Sequence, residues 1–108
     1  MNIGASLSGL FAAQTQFDVA ANDVANANTA GYRESRTELA EGNPGVQVTG
    51  ITKPGDAAGA PADPNAPSDV SLAQEMTEMI VARHTYGANA QMLRNTLELQ
   101  GTLFDKRV

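Results

Sequence analysis

Two stretches with the same four-and-three spacing stand at either end of this chain, and they leave little choice about its fold. In the first, Ile3, Leu7, Leu10, Phe17, Ala21 and Val24 recur with Gln14 and Asn28 filling the gaps. In the second, Leu72, Met76, Met79, Arg83, Tyr86, Ala90, Leu93, Leu97, Gln100 and Phe104 do the same. A strict heptad spacing marks a narrow seam between two helices rather than a broad amphipathic face. The spacing predicts a helix over about Ile3–Thr29 closed by a left-handed Gly31, and a second from near Ser68 or Ser71 nearly to the C-terminal end. Ser71-Leu72-Ala73-Gln74 has the pattern of a capping box, and Pro67 lies just before it. The second helix is the longer, and Ile80, Val81, Leu99 and Leu103 widen its apolar face beyond a two-helix seam.

Between the helices the character changes. All five prolines fall between Pro44 and Pro67. Gly45 to Gly55 alternates Val46, Val48 and then Ile51 with polar residues, which predicts a half-buried strand with a bulge or bend at Gly50. Asp56 to Asp69 reads as a loop of low complexity. The organisation expected is mainly α: residues 1–32 and 70–108 form one helical hairpin, and 33–69 form a strand and a connector.

Composition limits what such a hairpin can do alone. Eighteen residues are alanine, with three Phe, two Tyr and no Trp. Stabilisation scales with the apolar area buried, so a chain this poor in bulky side chains is expected to complete its burial against other chains. The net charge of −5 argues against nucleic acid, whose phosphates require a basic patch. There is no cysteine, hence no thiolate metal site. Met1-Asn2-Ile3-Gly4 lacks the basic flank and apolar run of a secretory signal, and no run approaches a membrane span.

Catalytic candidates are weak. His84 is the one histidine and reads as a surface or interface residue. Glu75 and Glu78 share a helix face, but a narrow seam offers no pocket, and a solvated face with Glu75 near the helix dipole is the expectation. The glycines have neither dinucleotide nor P-loop spacing. No catalytic residue, cofactor, metal or small-molecule substrate is expected. Met76, Met79 and Met92 read as seam or contact residues.

The stretch AANDVANANTAGYR, Ala20 to Arg33, stands apart. Asn22, Asn26 and Asn28 interrupt an alanine-rich helix, at roughly 0.5 kcal/mol each relative to alanine. Asn26 and Asn28 can also be read as helping to end the helix before Thr29-Ala30-Gly31, which explains Asn28 well and Asn22 badly. Asn22 and Asn26 share one face and suit a contact with another chain better than one with water.

This stretch resembles the N-terminal signature of the bacterial flagellar rod and hook family, A-N-N-[IL]-A-N-x-x-T-x-G-[YF]. The matching positions are Ala21, Asn22, Val24, Ala25, Asn26, Thr29, Gly31 and Tyr32, with Asp23 where asparagine is usual. Glu75, Met76, Tyr86, Ala88 and Asn89 are similar to the family's second signature, E-M followed by Y-x-A-N. Gly45 to Gly55 is similar to the strand of the small proximal-rod proteins. The connector after Pro54 is shorter than in those relatives. The resemblance implies a structural, non-enzymatic subunit of the flagellar axis. Its subunits pass through the type III export apparatus without a cleaved signal, reside in the basal-body rod, and transmit torque from motor to hook. Partners would be other rod proteins, copies of itself and the export apparatus. The expected subunit interface is Asn22, Val24, Asn26, Asn28, Thr29, Gly31, Tyr32, Met76, Met79, Ile80, Tyr86, Asn89, Leu93 and Leu97. The competing expectation is a helical-hairpin binding module, an export adaptor or chaperone.

Overall fold

The computed structural model describes residues 3–54 and 64–105. A long helix, α1 (Ile3–Ala25), leads through a turn to two strands, β1 (Arg36–Glu41) and β2 (Val46–Thr52), and a longer helix, α2 (Leu72–Asp105), follows. The molecule is a rod of 69 × 23 × 14 Å. α1 and α2 run antiparallel, with Gly9 against Asn89 at one level and Asp23 beside Glu75 at the other. The β-hairpin lies along α1. The helical hairpin with a short β segment is the architecture expected from the two heptads.

α2 starts where the capping pattern placed it. The Gln74 amide donates to Ser71 Oγ at 3.4 Å and the Glu75 amide to the Ser71 carbonyl at 2.9 Å. α1 ends four residues sooner than expected, at Ala25 rather than Thr29. The Asn26 amide is shared between the carbonyls of Asn22 and Asp23 at 3.2 Å each, and its side-chain Nδ2 donates to the Asn22 carbonyl at 2.9 Å. Short amide side chains compete for backbone groups in this way, and the helix gives out where they do. Gly31 is left-handed as expected, with φ 77°, but it serves the following turn rather than the helix end. Its amide donates to the Ala66 carbonyl at 2.6 Å, and an added Cβ would lie 2.9 Å from the Pro64 carbonyl oxygen.

β1, which carries no apolar alternation, pairs antiparallel with β2 from Arg36↔Thr52 to Glu41↔Val46. The register slips between Glu38, opposite Gly50, and Leu39, opposite Val48, so Thr49 is the extra residue of a bulge beside Gly50. The hairpin tip sits on the first turns of α1, where the Val46 amide donates to Ser8 Oγ at 3.2 Å. A side chain at Gly45 would meet Ser8 and Ala5 there, so the approach requires glycine.

The main correction concerns the seam. On α1 the positions turned inward are Ser6, Gly9, Ala13, Ala20 and Asp23, each one residue before the expected Leu7, Leu10, Gln14, Ala21 and Val24. On α2 they are Glu75, Ala82, Asn89 and Thr96, one before Met76, Arg83, Ala90 and Leu97. One residue is about 100° of rotation. The cause is that α1 is covered on two sides, by α2 and by the β-hairpin, and its buried arc lies between them. Small residues occupy that arc and let the backbones approach. Among the described residues the buried apolar ones are all alanine: Ala12, Ala13, Ala20 and Ala82. The bulky residues face outward instead.

The loop expected over Asp56–Asp69 is described only from Pro64, and residues 55–63 lie outside the described residues. Its last part is anchored. Asp69 Oδ1 accepts from the Glu34 amide at 2.6 Å, and its other oxygen lies 4.0 Å from Arg33 Nη1.

Candidate assembly surface

Turning the small residues inward leaves three features on the outside. The first is an open apolar groove of about 790 Å³ between α1 and α2, lined among others by Phe17, Val24, Met76, Met79, Ile80 and Tyr86. Met76, Ile80 and Tyr86 are exposed there, while Val24 and Met79 are half-buried.

The second is the far end of α2. Thr96 is the last buried position of α2, and beyond it Leu97, Leu99, Leu103 and Phe104 are exposed, Phe104 by 68%. The register set by Gly9 and Asn89 brings the first residues of α1 level with Thr96, so the next nine residues of α2 overhang. Leu93 and Leu97 flank a smaller groove with Leu10.

The third is the turn after α1. Asn22 Nδ2 donates to the Tyr32 hydroxyl at 3.2 Å, and that hydroxyl donates to Asp23 Oδ1 at 2.7 Å. Thr29 Oγ1 donates to Asn26 Oδ1 at 3.2 Å. Lys53 Nζ lies 4.9 Å from the centre of the Tyr32 ring and donates to the Arg33 carbonyl and Ser35 Oγ. Asn22, Asn28 and Thr29 remain exposed on this turn. The interface expected from sequence thus divides in three: Asn22, Asn26, Asn28, Thr29, Gly31 and Tyr32 in the turn, Val24, Met76, Met79, Ile80 and Tyr86 in the groove, and Leu93 and Leu97 toward the overhang. Asn89 points elsewhere, into the seam with α1, with its Nδ2 on the Thr85 carbonyl at 2.9 Å.

Sequence reasoning missed a pair of acids. Asp23 and Glu75 are the largest fully buried side chains, at 0% and 1% exposure, where Glu75 was expected on a solvated face. Burial first, then the charges of Glu78, Asp23 and Glu34, push the Glu75 carboxyl up to about 7. Burial and the hydrogen bond to Asp23 also raise Tyr32 above its usual range. The signal available was the spacing of small residues: Asp23 follows Ala20 by three, and Glu75 precedes Ala82 by seven. Among the described residues no group of three or more His, Cys, Asp or Glu side chains could hold a metal ion, and no helix is long and apolar enough to cross a membrane. His84 is exposed.

Comparison with known families follows the same division. Residues 3–33 match the family model described as flagella basal body rod protein. Residues 67–105 match the one described as flagellar basal body rod FlgEFG protein C-terminal. No curated protein is a significant match to the chain.

Proposed function

Because the chain belongs to the flagellar rod and hook protein family, a family of structural basal-body components, we propose that it builds the rod by packing its outward apolar surfaces against copies of itself and other rod proteins, and so carries torque from motor to hook. The observation that carries this reading is the inverted packing. Alanine fills the seam while Phe17, Met76, Ile80, Leu97, Leu103 and Phe104 stay outside. A contiguous exposed apolar surface marks an interaction site. A groove at one end of the hairpin and an apolar overhang at the other are different surfaces. Contacts between unlike surfaces are heterologous, and such contacts build helical assemblies when they do not close. The reading is structural rather than catalytic, and subunits of this kind reach the rod through the type III export apparatus without a cleaved signal, into the periplasmic space.

The test is the presence of the protein in purified basal bodies. Its absence there, with recovery among cytoplasmic export components, would favour an adaptor or chaperone. A residue-level test follows from the turn. Asn22→Leu, inside α1, should add several tenths of a kcal/mol to an isolated helix, whereas Asn26→Leu falls just past the helix end. Each also removes a directional bond, from Asn22 to Tyr32 or from Asn26 to the Asn22 carbonyl. Leaving a partner unsatisfied on burial costs about 1–3 kcal/mol. Rod content and swimming should fall in both variants, and wild-type values in both would remove the role assigned to these amides.

A further inference from the structure

We propose that Asp23 and Glu75 form a proton-operated latch between α1 and α2, which holds the connector end of the hairpin closed while the pair retains a proton and loosens it when that proton is lost. Both side chains are fully buried, Asp23 on α1 and Glu75 on α2, on the inward faces of the two helices near the same end of the seam. Two carboxylates in that position repel unless one is protonated.

The surrounding groups decide which acid carries the proton. Asp23 is surrounded by donors: the Tyr32 hydroxyl at 2.7 Å, and the Ser35 amide at 3.0 Å and 3.1 Å to its two oxygens. That arrangement suits a carboxylate. Glu75 has no such support, and its Oε2 is buried without a hydrogen-bond partner. Burial without a donor therefore favours the protonated form of Glu75. The neighbours reinforce this. From α2, Glu78 adds negative charge, as does Glu34 from the turn. The cation of β1, Arg36, is held by Glu34 at 3.0 Å, and Lys53 beyond β2 is directed to the Arg33 carbonyl and Ser35 Oγ.

The direction of the effect follows. The folded chain holds the Glu75 proton up to about pH 7, while the unfolded chain releases it near 4.5. Between those values the folded state binds more protons, so closure weakens as pH rises through the window and is flat above it. Between pH 5.5 and 8 the folding equilibrium constant should fall on the order of thirtyfold. With a core made of alanine, a change of that size alters how much helix is present.

The experiment is helix content and urea unfolding of the full chain by circular dichroism at pH 5.5 and 8, with chelator present. Wild type should lose on the order of thirtyfold in folding constant at the higher pH. Glu75→Gln should show less than a twofold change, and Glu78→Gln should keep most of the wild-type slope. Equal helix content in wild type at both pH values, including none at either, would overturn the latch, as would a wild-type slope in Glu75→Gln. Should Glu75→Gln fail to fold, the carboxyl carbon resonance of Glu75 in the wild-type chain decides. A midpoint near pH 7 supports the latch and one below pH 5 overturns it. Asp23→Asn should move that midpoint down, because its amide can donate to Glu75.

Discussion

Deleting residues 97–108 should abolish incorporation into basal bodies while leaving the pairing of α1 with α2 in place. The cut falls just after Thr96, the last buried position of α2 among the described residues, so Glu75, Ala82, Asn89 and Thr96 stay in the seam. What it removes is Leu97, Leu99, Leu103 and Phe104, each more than half exposed. Side chains of this size contribute roughly 1.5–3 kcal/mol each when fully buried. Lost from every subunit of an assembly, that is enough to change binding from tight to undetectable, since about 1.4 kcal/mol is a factor of ten. Circular dichroism should show only the loss of the deleted turns, and motility should be absent. Shortening the chain by a few residues within 56–63 supplies the contrast, because loop closure depends weakly on length. The same treatment should not extend to 64–69, where Ala66 and Asp69 are bonded to the turn after α1. If the tail deletion builds rods and the loop deletion does not, recognition lies in the connector.

Ala20→Leu and Ala13→Leu are expected to separate the two helices. Each alanine is 1% exposed, on the inward face of α1. Overfilling a packed site costs about 1–3 kcal/mol even in proteins with large cores. Among the described residues the fully buried apolar side chains are Ala12, Ala13, Ala20 and Ala82, which have no volume to give up. Leucine matches alanine closely in helix propensity, so the individual helices should persist. Amide hydrogen exchange should show loss of protection in both helices together, and rod incorporation should fail. Ala25→Leu, at an exposed position at the end of α1, is the control and should behave as wild type. Retained cooperative protection in Ala20→Leu would mean that the seam is looser than its burial indicates.

These outcomes bear on how much could be read from the sequence. The two helices, their antiparallel pairing and the start of α2 at Ser71 follow from heptads and capping, which are local signals. The bulge beside Gly50 was legible for the same reason. The face each helix turns inward was not. The bulky residues of α1 carry a heptad of their own, at Leu7, Leu10 and Phe17, and such residues normally mark the core. Here burial by α2 and the hairpin together selects the adjacent stripe of Ser6, Ala13 and Ala20. β1 was missed because its partner supplies its order: Arg36–Glu41 has no pattern that stands without β2. The acids at 23 and 75 were missed because burial of a charged residue depends on what folds over it. The groove residues Val24, Met76, Met79, Ile80 and Tyr86 were legible as a group, since large apolar residues at heptad spacing form a common surface whichever way it faces.

The turn after α1 has one more consequence. Gly31, Tyr32 and Glu34 hold Ala66 and Asp69, while Arg33 and Ser35 hold Lys53. The chain therefore leaves the helical pair and returns to it through a single knot of bonds. Lys53, before the connector, and Ala66 and Asp69, after it, are thus fixed to the same turn. Domain insertion succeeds most readily at exposed sites whose entry and exit points lie close together. An insertion between Pro54 and Pro64 should therefore leave the pairing of α1 with α2 in place.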